Sequence, residues 1–191
     1  MTTDVLEATC TRTREILANV RSETYGAPTP CKLWDVRRLI NHAIGASHWV
    51  AHCMTDDVVP DHALYEEVDY TSRDGLHEYD TAVKTALDAF DTPGALTKQV
   101  SFPSFTLTGE ALLGILIDDQ FLHGWDLAKA TSQPLTDADQ AMAERRLAAH
   151  ENHPIDQFRG PEGVAPYGTR VEVLASARAT DRLAGFFGRN P

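Results

Sequence analysis

Long hydrophobic runs are missing from this chain. The longest strongly apolar stretch, residues 111–117, is far too short to span a bilayer. Cysteine is scarce as well. Cys10, Cys31 and Cys53 are three in number, too few and too odd for a disulfide framework, and they suit a reducing cytoplasm. Basic residues are outnumbered, 17 Lys and Arg against 28 Asp and Glu, for a net charge of -11. No Lys/Arg-rich run makes a local exception. Such a surface repels phosphate backbones and anionic headgroups, so neither nucleic acid nor a membrane is expected as a partner. The opening residues 1–20 carry acids early and lack the apolar core of a secretory signal. A cytoplasmic protein is expected. Repeats and low-complexity segments are absent too.

What is present is helical periodicity. The 191 residues, 42% of them hydrophobic, suffice for one well-buried domain. Over residues 5–20, Leu6, Thr9, Thr13, Ile16, Leu17 and Val20 recur at helical spacing, although two of the six are threonines. Gly26, Pro28 and Pro30 interrupt the pattern. A second helix is expected over residues 33–54, with Asp35 in its first turn and a stripe of Val36, Leu39, Ile40, Ala43, Ile44, Val50 and Met54. Residues 56–69 are acidic, contain Pro60 and read as a loop. A third helix is expected over 72–90, ended by Thr92, Pro93 and Gly94. Residues 100–107, β-branched and aromatic around Pro103, suggest a short irregular strand or hairpin. A fourth helix follows from a Thr108 cap to about Thr131. A shorter one starts at Thr136, with Asp139 as its capping-box partner, and runs to Ala149. Residues 152–169 are rich in Pro and Gly, and a last helix covers 180–187. The pattern is that of an all-α four-helix bundle with a short irregular β segment. A single domain of residues 1–191 is expected, with a C-terminal extension from about 152 to 191.

Residues 111–130 carry the chemistry. Leu112, Leu113, Ile115, Leu116, Ile117, Phe121, Leu122, Trp125, Leu127 and Ala128 leave almost no polar face, which marks a buried helix. The same helix bears Asp118, Asp119, His123 and Asp126, and a buried carboxylate needs a compensating charge. Asp119 and His123 are four residues apart, so their side chains lie on one face and can converge on one metal ion. Asp118 points elsewhere. Asp126, three residues past His123, can accept the other N–H of the imidazole. The plainer reading is that His123 is a hydrogen-bonded core residue. A third ligand from another helix favours the metal, and His42, in the middle of the second helix beside its apolar stripe, is the best candidate. His48 and His52, also four apart, form a rival pair nearer the helix end. Cys31 beside Pro30 reads as a small buried thiol, and Arg37 and Arg38 as exposed, with an anionic substrate as their other use.

Residues 29–42, TPCKLWDVRRLINH, and 119–133, DQFLHGWDLAKATSQ, resemble the two signature stretches of the DinB/YfiT-like metalloprotein superfamily. The likeness is to its actinobacterial branch, related to the metal-binding domain of mycothiol-dependent maleylpyruvate isomerase. The tail, residues 179–191, is similar to that branch as well. The resemblance implies a four-helix bundle with one metal in its core, held by His42, Asp119 and His123. The isomerase has Glu at the acid position, so Asp119 is one methylene shorter.

Two imidazoles and one carboxylate leave positions open on Zn²⁺, as in catalytic sites. Ni²⁺, Fe²⁺ and Mn²⁺ accept the same ligands. An open position can take a thiol and lower its pKa. The resemblance therefore implies transfer or isomerisation through a low-molecular-weight thiol, mycothiol, acting on a small-molecule substrate. Two alternatives stand beside it: a biosynthetic step such as a cyclisation with the metal as Lewis acid and no thiol, or non-catalytic binding of a small molecule or metal. A second copy of the chain, in a homodimer, is the one protein partner considered.

Overall fold

Each apolar stripe in the sequence becomes the inner face of a helix in the computed structural model, which describes residues 2–56, 58–151, 155–161 and 165–191. Helix α1 (Thr3–Ala18) turns Leu6, Thr9, Cys10, Thr13, Ile16 and Leu17 inward. Its threonines are buried because their hydroxyls find acceptors: Thr9 donates to the Val5 carbonyl at 2.7 Å and Thr13 to that of Gln120 at 2.9 Å.

Helix α2 (Val36–Thr55) starts later than expected. Asp35 lies outside the helix and caps it, accepting the Arg38 N–H at 2.8 Å. A carboxylate satisfies a free N–H best from that position, so it ends the preceding turn instead of entering the helix. The expected loop at 56–69 holds one helical turn, α3 (Ala63–Glu66). Its sequence has no periodicity to announce it. Packing against α2 holds it instead: a Cβ on Gly45 would come within 2.7 Å of the Tyr65 carbonyl oxygen.

Helix α4 (Gly75–Phe90) is capped by Asp74, and the residues before it, Tyr70–Ser72, form a separate 3₁₀ turn. The expected hairpin is there, β1 (Gln99–Ser101) antiparallel to β2 (Thr106–Thr108). Thr108 then caps α5 (Gly109–Ala130) by accepting the Ala111 N–H at 3.1 Å. The capping box before α6 (Asp137–Glu151) is formed: Asp139 accepts the Thr136 N–H at 2.6 Å, and Thr136 the Asp139 N–H at 3.3 Å. A two-residue parallel pairing of β3 (Arg159–Gly160) with β4 (Tyr167–Gly168) precedes α7 (Ala179–Phe186). The Pro/Gly-rich stretch 152–169 lies partly outside the described residues.

Helices α1, α2, α4 and α5 make the bundle, with α2 on α4 and α1 on α5 as its broadest contacts. One apolar cluster, around Leu6, Val50, Leu113 and Leu116, fills one end. A second, around Ile16, Leu39, Ile44, Tyr79 and Leu127, fills the other. Each fully buried Leu or Ile there contributes about 1.5–3 kcal/mol. A third cluster of Trp125, Met142, Leu183 and Phe187 seats α6 and α7 on the outer side of α5. That second layer is why α5 is apolar nearly all round. No helix among the described residues is long and apolar enough to cross a membrane.

Candidate metal centre

Between the two end clusters the bundle interior turns polar. Helix α2 presents His42, and α5 presents Asp119 and His123 from successive turns. One ligand atom from each of the three lies within 4.8 Å of the others, the one such group among the described residues. Asp119 Oδ1 is 3.0 Å from His42 Nε2 and 3.4 Å from His123 Nε2. His123 is buried, while His42 and Asp119 keep a small opening to solvent. The indole of Trp34, in the turn before α2, lies 4.4 Å from the His42 ring and 5.4 Å from the His123 ring, centroid to centroid.

The surroundings fix how these groups can be used. His123 Nδ1 faces Asp126 Oδ2 at 3.2 Å. Asp126 is fully buried and is gripped by Arg189 of the C-terminal tail, Nε and Nη2 reaching its oxygens at 2.9–3.2 Å. The proton of neutral His123 is thereby held on Nδ1, leaving the Nε2 lone pair aimed at the centre. Gly188, at φ +91°, makes the turn that brings Arg189 there. On the other side, His42 Nδ1 faces Glu66 Oε1 of α3 at 3.5 Å. The second oxygen of Asp119 lies 3.4 Å from Gln120 Nε2, which also donates to the Ala43 carbonyl at 2.9 Å, and Gln120 Oε1 accepts the Tyr79 hydroxyl at 2.7 Å.

A lone-pair nitrogen and a carboxylate oxygen cannot sit 3.0 Å apart with nothing positive between them. Either a proton or a cation must lie there. With a proton, burial opposes the charge on His42, but Asp119, with Glu66 behind, outweighs it and raises the pKa to about 9. Burial likewise works against ionised Asp119, yet His42 and His123 hold its carboxyl well below the usual carboxylate range. With a cation, the same atoms become ligands. The carboxylate oxygen stands 3.0 and 3.4 Å from the two ring nitrogens, spacings that suit an ion about 2.0–2.2 Å from both atoms of either pair, and the residue types are those of zinc and its neighbours in the series. The residues present therefore fit a divalent ion.

The other expected residues are placed elsewhere. His52 Nδ1 pairs with the Tyr65 hydroxyl at 2.6 Å and His48 stacks on Tyr70, so neither joins the group. Asp118 faces α6, away from the centre, and binds Arg146 and His150. Cys31 is packed in the apolar cluster with Val36 and Leu39. Arg37 pairs with Asp69, and Arg38 lies over the Trp34 ring. Sequence reasoning missed Trp34, Glu66 and Arg189. For Glu66 a signal existed in its four-residue spacing from His62, whose Nδ1 lies 3.6 Å from it. For Arg189 none did.

Comparison with known proteins agrees with this architecture. A family model described as the mycothiol maleylpyruvate isomerase N-terminal domain matches residues 6–128. Two curated proteins from strains of Mycobacterium tuberculosis, both described as uncharacterized, are each 33% identical over 175 residues, 91% of this chain and 90% of theirs. Crystal structures of mycothiol-dependent maleylpyruvate isomerase share the fold. A mutant form superposes with a TM-score of 0.61 at 15% identity and the unmutated form with 0.57 at 16%, each over 78% of this chain and 67% of the other.

Proposed function

The chain belongs to the mycothiol maleylpyruvate isomerase N-terminal domain family, and on that premise we propose that it is a metal-dependent enzyme using a low-molecular-weight thiol, mycothiol, for S-transfer or isomerisation of a small electrophilic substrate. The observation that carries this reading is one carboxylate oxygen facing the Nε2 atoms of two imidazoles inside the bundle. Structural zinc sites are closed by four protein ligands, whereas three leave room for a reactant.

His42, Asp119 and His123 would hold the ion, Zn²⁺ before Ni²⁺, Fe²⁺ or Mn²⁺. A divalent ion here supplies a Lewis acid that lowers a thiol's pKa and orients its sulfur. The chain's own residues do the rest. Asp126, clamped by Arg189, keeps the His123 proton on Nδ1 and its lone pair inward. Trp34 covers both imidazoles and keeps bulk water off them, which strengthens every charge interaction beneath it. Asp119 contributes the negative charge that offsets the ion, and Gln120 holds its outer oxygen.

The test joins metal content to turnover. Protein purified without chelator should carry close to one divalent ion per chain. His42→Ala, His123→Ala and Asp119→Asn should each lose most of it, and turnover of an electrophilic reporter should need both ion and mycothiol. Metal content unchanged in any of the three variants would remove the centre. Full metal with turnover indifferent to thiol would leave the centre and remove the thiol.

A further inference from the structure

The two imidazoles at the centre are served unequally. His123 Nδ1 has Asp126, itself locked by Arg189. His42 Nδ1 is buried and makes no hydrogen bond among the described residues; Glu66 Oε1 faces it at 3.5 Å. An imidazole that gives Nε2 to an ion must keep its proton on Nδ1, and a buried N–H without an acceptor is costly.

The turn that carries Glu66 turns two of its four side chains to solvent. Ala63 and Leu64 are exposed. It is fastened to α2 by other means. The Trp49 indole N–H donates to the Pro60 carbonyl at 2.9 Å, before the turn. The Tyr65 hydroxyl meets His52 Nδ1 at 2.6 Å within it. Asn41 donates to Asp69 at 3.1 Å and accepts the Thr71 N–H at 3.1 Å, after it. Gly45, one turn beyond His42, leaves room for the Tyr65 backbone to press against α2. These fastenings surround His42 along α2, and what they deliver to it is Glu66.

We propose that Glu66 is the positioning carboxylate of the His42 ligand: it accepts the Nδ1 proton of His42 when Nε2 binds the ion, as Asp126 does for His123. The centre would then be symmetric, each imidazole backed by its own carboxylate, one from α3 and one from α5. This rests on the metal reading above. Loss of such a partner typically weakens metal binding ten- to a hundredfold.

The experiment measures the zinc dissociation constant by chelator competition, and the visible absorption of the cobalt-loaded protein. The proteins are the wild type, Glu66→Ala, Glu66→Gln, His42→Ala and, as a control, the exposed neighbour Glu67→Ala. Glu66→Ala should bind zinc roughly tenfold or more weakly and shift the cobalt spectrum. Its metal-free melting temperature should stay within about 2 °C, since Glu66 is half-exposed. Glu66→Gln, whose amide oxygen still accepts the Nδ1 proton, should recover most of the affinity and the spectrum. Glu67→Ala should match the wild type. Zinc binding and a cobalt spectrum unchanged in Glu66→Ala, with His42→Ala deficient, would overturn the role of Glu66 and leave the metal centre standing. Equal loss in Glu66→Gln, or in Glu67→Ala, would also overturn it. A wild type that binds no metal would overturn the centre itself.

Discussion

Asp118 and Asp119 are consecutive residues of α5, both withdrawn from water, and the chain treats their charges in opposite ways. Around Asp118 it supplies the cation. Arg146 of α6 binds both its oxygens, at 2.6 and 2.8 Å, and His150 adds a contact at 2.9 Å. Around Asp119 it supplies two imidazoles that can be neutral, and among the described residues no Lys or Arg is paired with it. One carboxylate is saturated, with a bidentate guanidinium that nothing in the chemistry can displace. The other faces two imidazoles and, on the function proposed above, would exchange a proton for a metal ion. The comparison separates a charge that builds the fold, by fastening α6 to α5, from a charge held for use.

The largest effect expected concerns the saturated side. Asp118→Asn takes the ionic acceptor from Arg146 in a site where both side chains are 6% exposed. It should cost about 3–5 kcal/mol and lower the melting temperature by on the order of 10 °C. Metal content should be unchanged. Calorimetry with elemental analysis checks both, and metal loss with the fold intact would show that the two carboxylates are not independent.

A second expectation sharpens the contrast through pH. The metal-free pKa of His42 is raised from 6.5 to about 9. Its charged form therefore stabilises the metal-free fold fully below pH 6.5, and that stability is lost as pH rises through about 9. The amount is about 3 kcal/mol at most. Zinc needs neutral imidazole, so its own stabilisation should grow over the same window. Urea melts of chelated and zinc-loaded protein between pH 6 and pH 9.5 should diverge as pH rises. A metal-free stability that stays flat would mean that Asp119 does not hold a proton on His42.

The smallest effect on metal binding is expected at the tail. Arg189→Ala releases Asp126 and should weaken zinc binding roughly tenfold. The change also leaves a fully buried carboxylate without its guanidinium, so the melting temperature should fall as well, and zinc affinity is the readout specific to the clamp. Unaltered zinc affinity would mean that Asp126 needs no clamp.

Much of this was legible in the sequence. The stripe of Leu39, Ile40, Ile44 and Val50 announced α2, and the nearly continuous apolar surface of residues 111–130 announced a buried helix, because burial patterns follow the 3.6-residue period of a single element. The pairing of Asp119 with His123 is local in the same sense. His42 was different. Periodicity put it on a helix, its place mid-helix beside the apolar stripe favoured it over His48 and His52 as the third ligand, and resemblance to a family implied the same choice. The turn at Ala63–Glu66 escaped because it is set by Gly45 and Tyr65 from two segments. Asp35 was misplaced by one helical boundary because an acid is favourable both in the first turn and at the cap.

By itself, then, the sequence determined the long helices, the separation of the two carboxylates onto different faces of α5, and the Asp119–His123 pair. All of these depend on residues within a turn or two of each other. Only the tertiary structure decided which charge is neutralised and which is left open. Arg146, Glu66 and Arg189 reach their partners across 28, 24 and 63 positions of chain. Contacts at that range are selected by how helices pack, since no backbone period relates residues so far apart, and packing is where Asp118 and Asp119, alike in sequence, became different in kind.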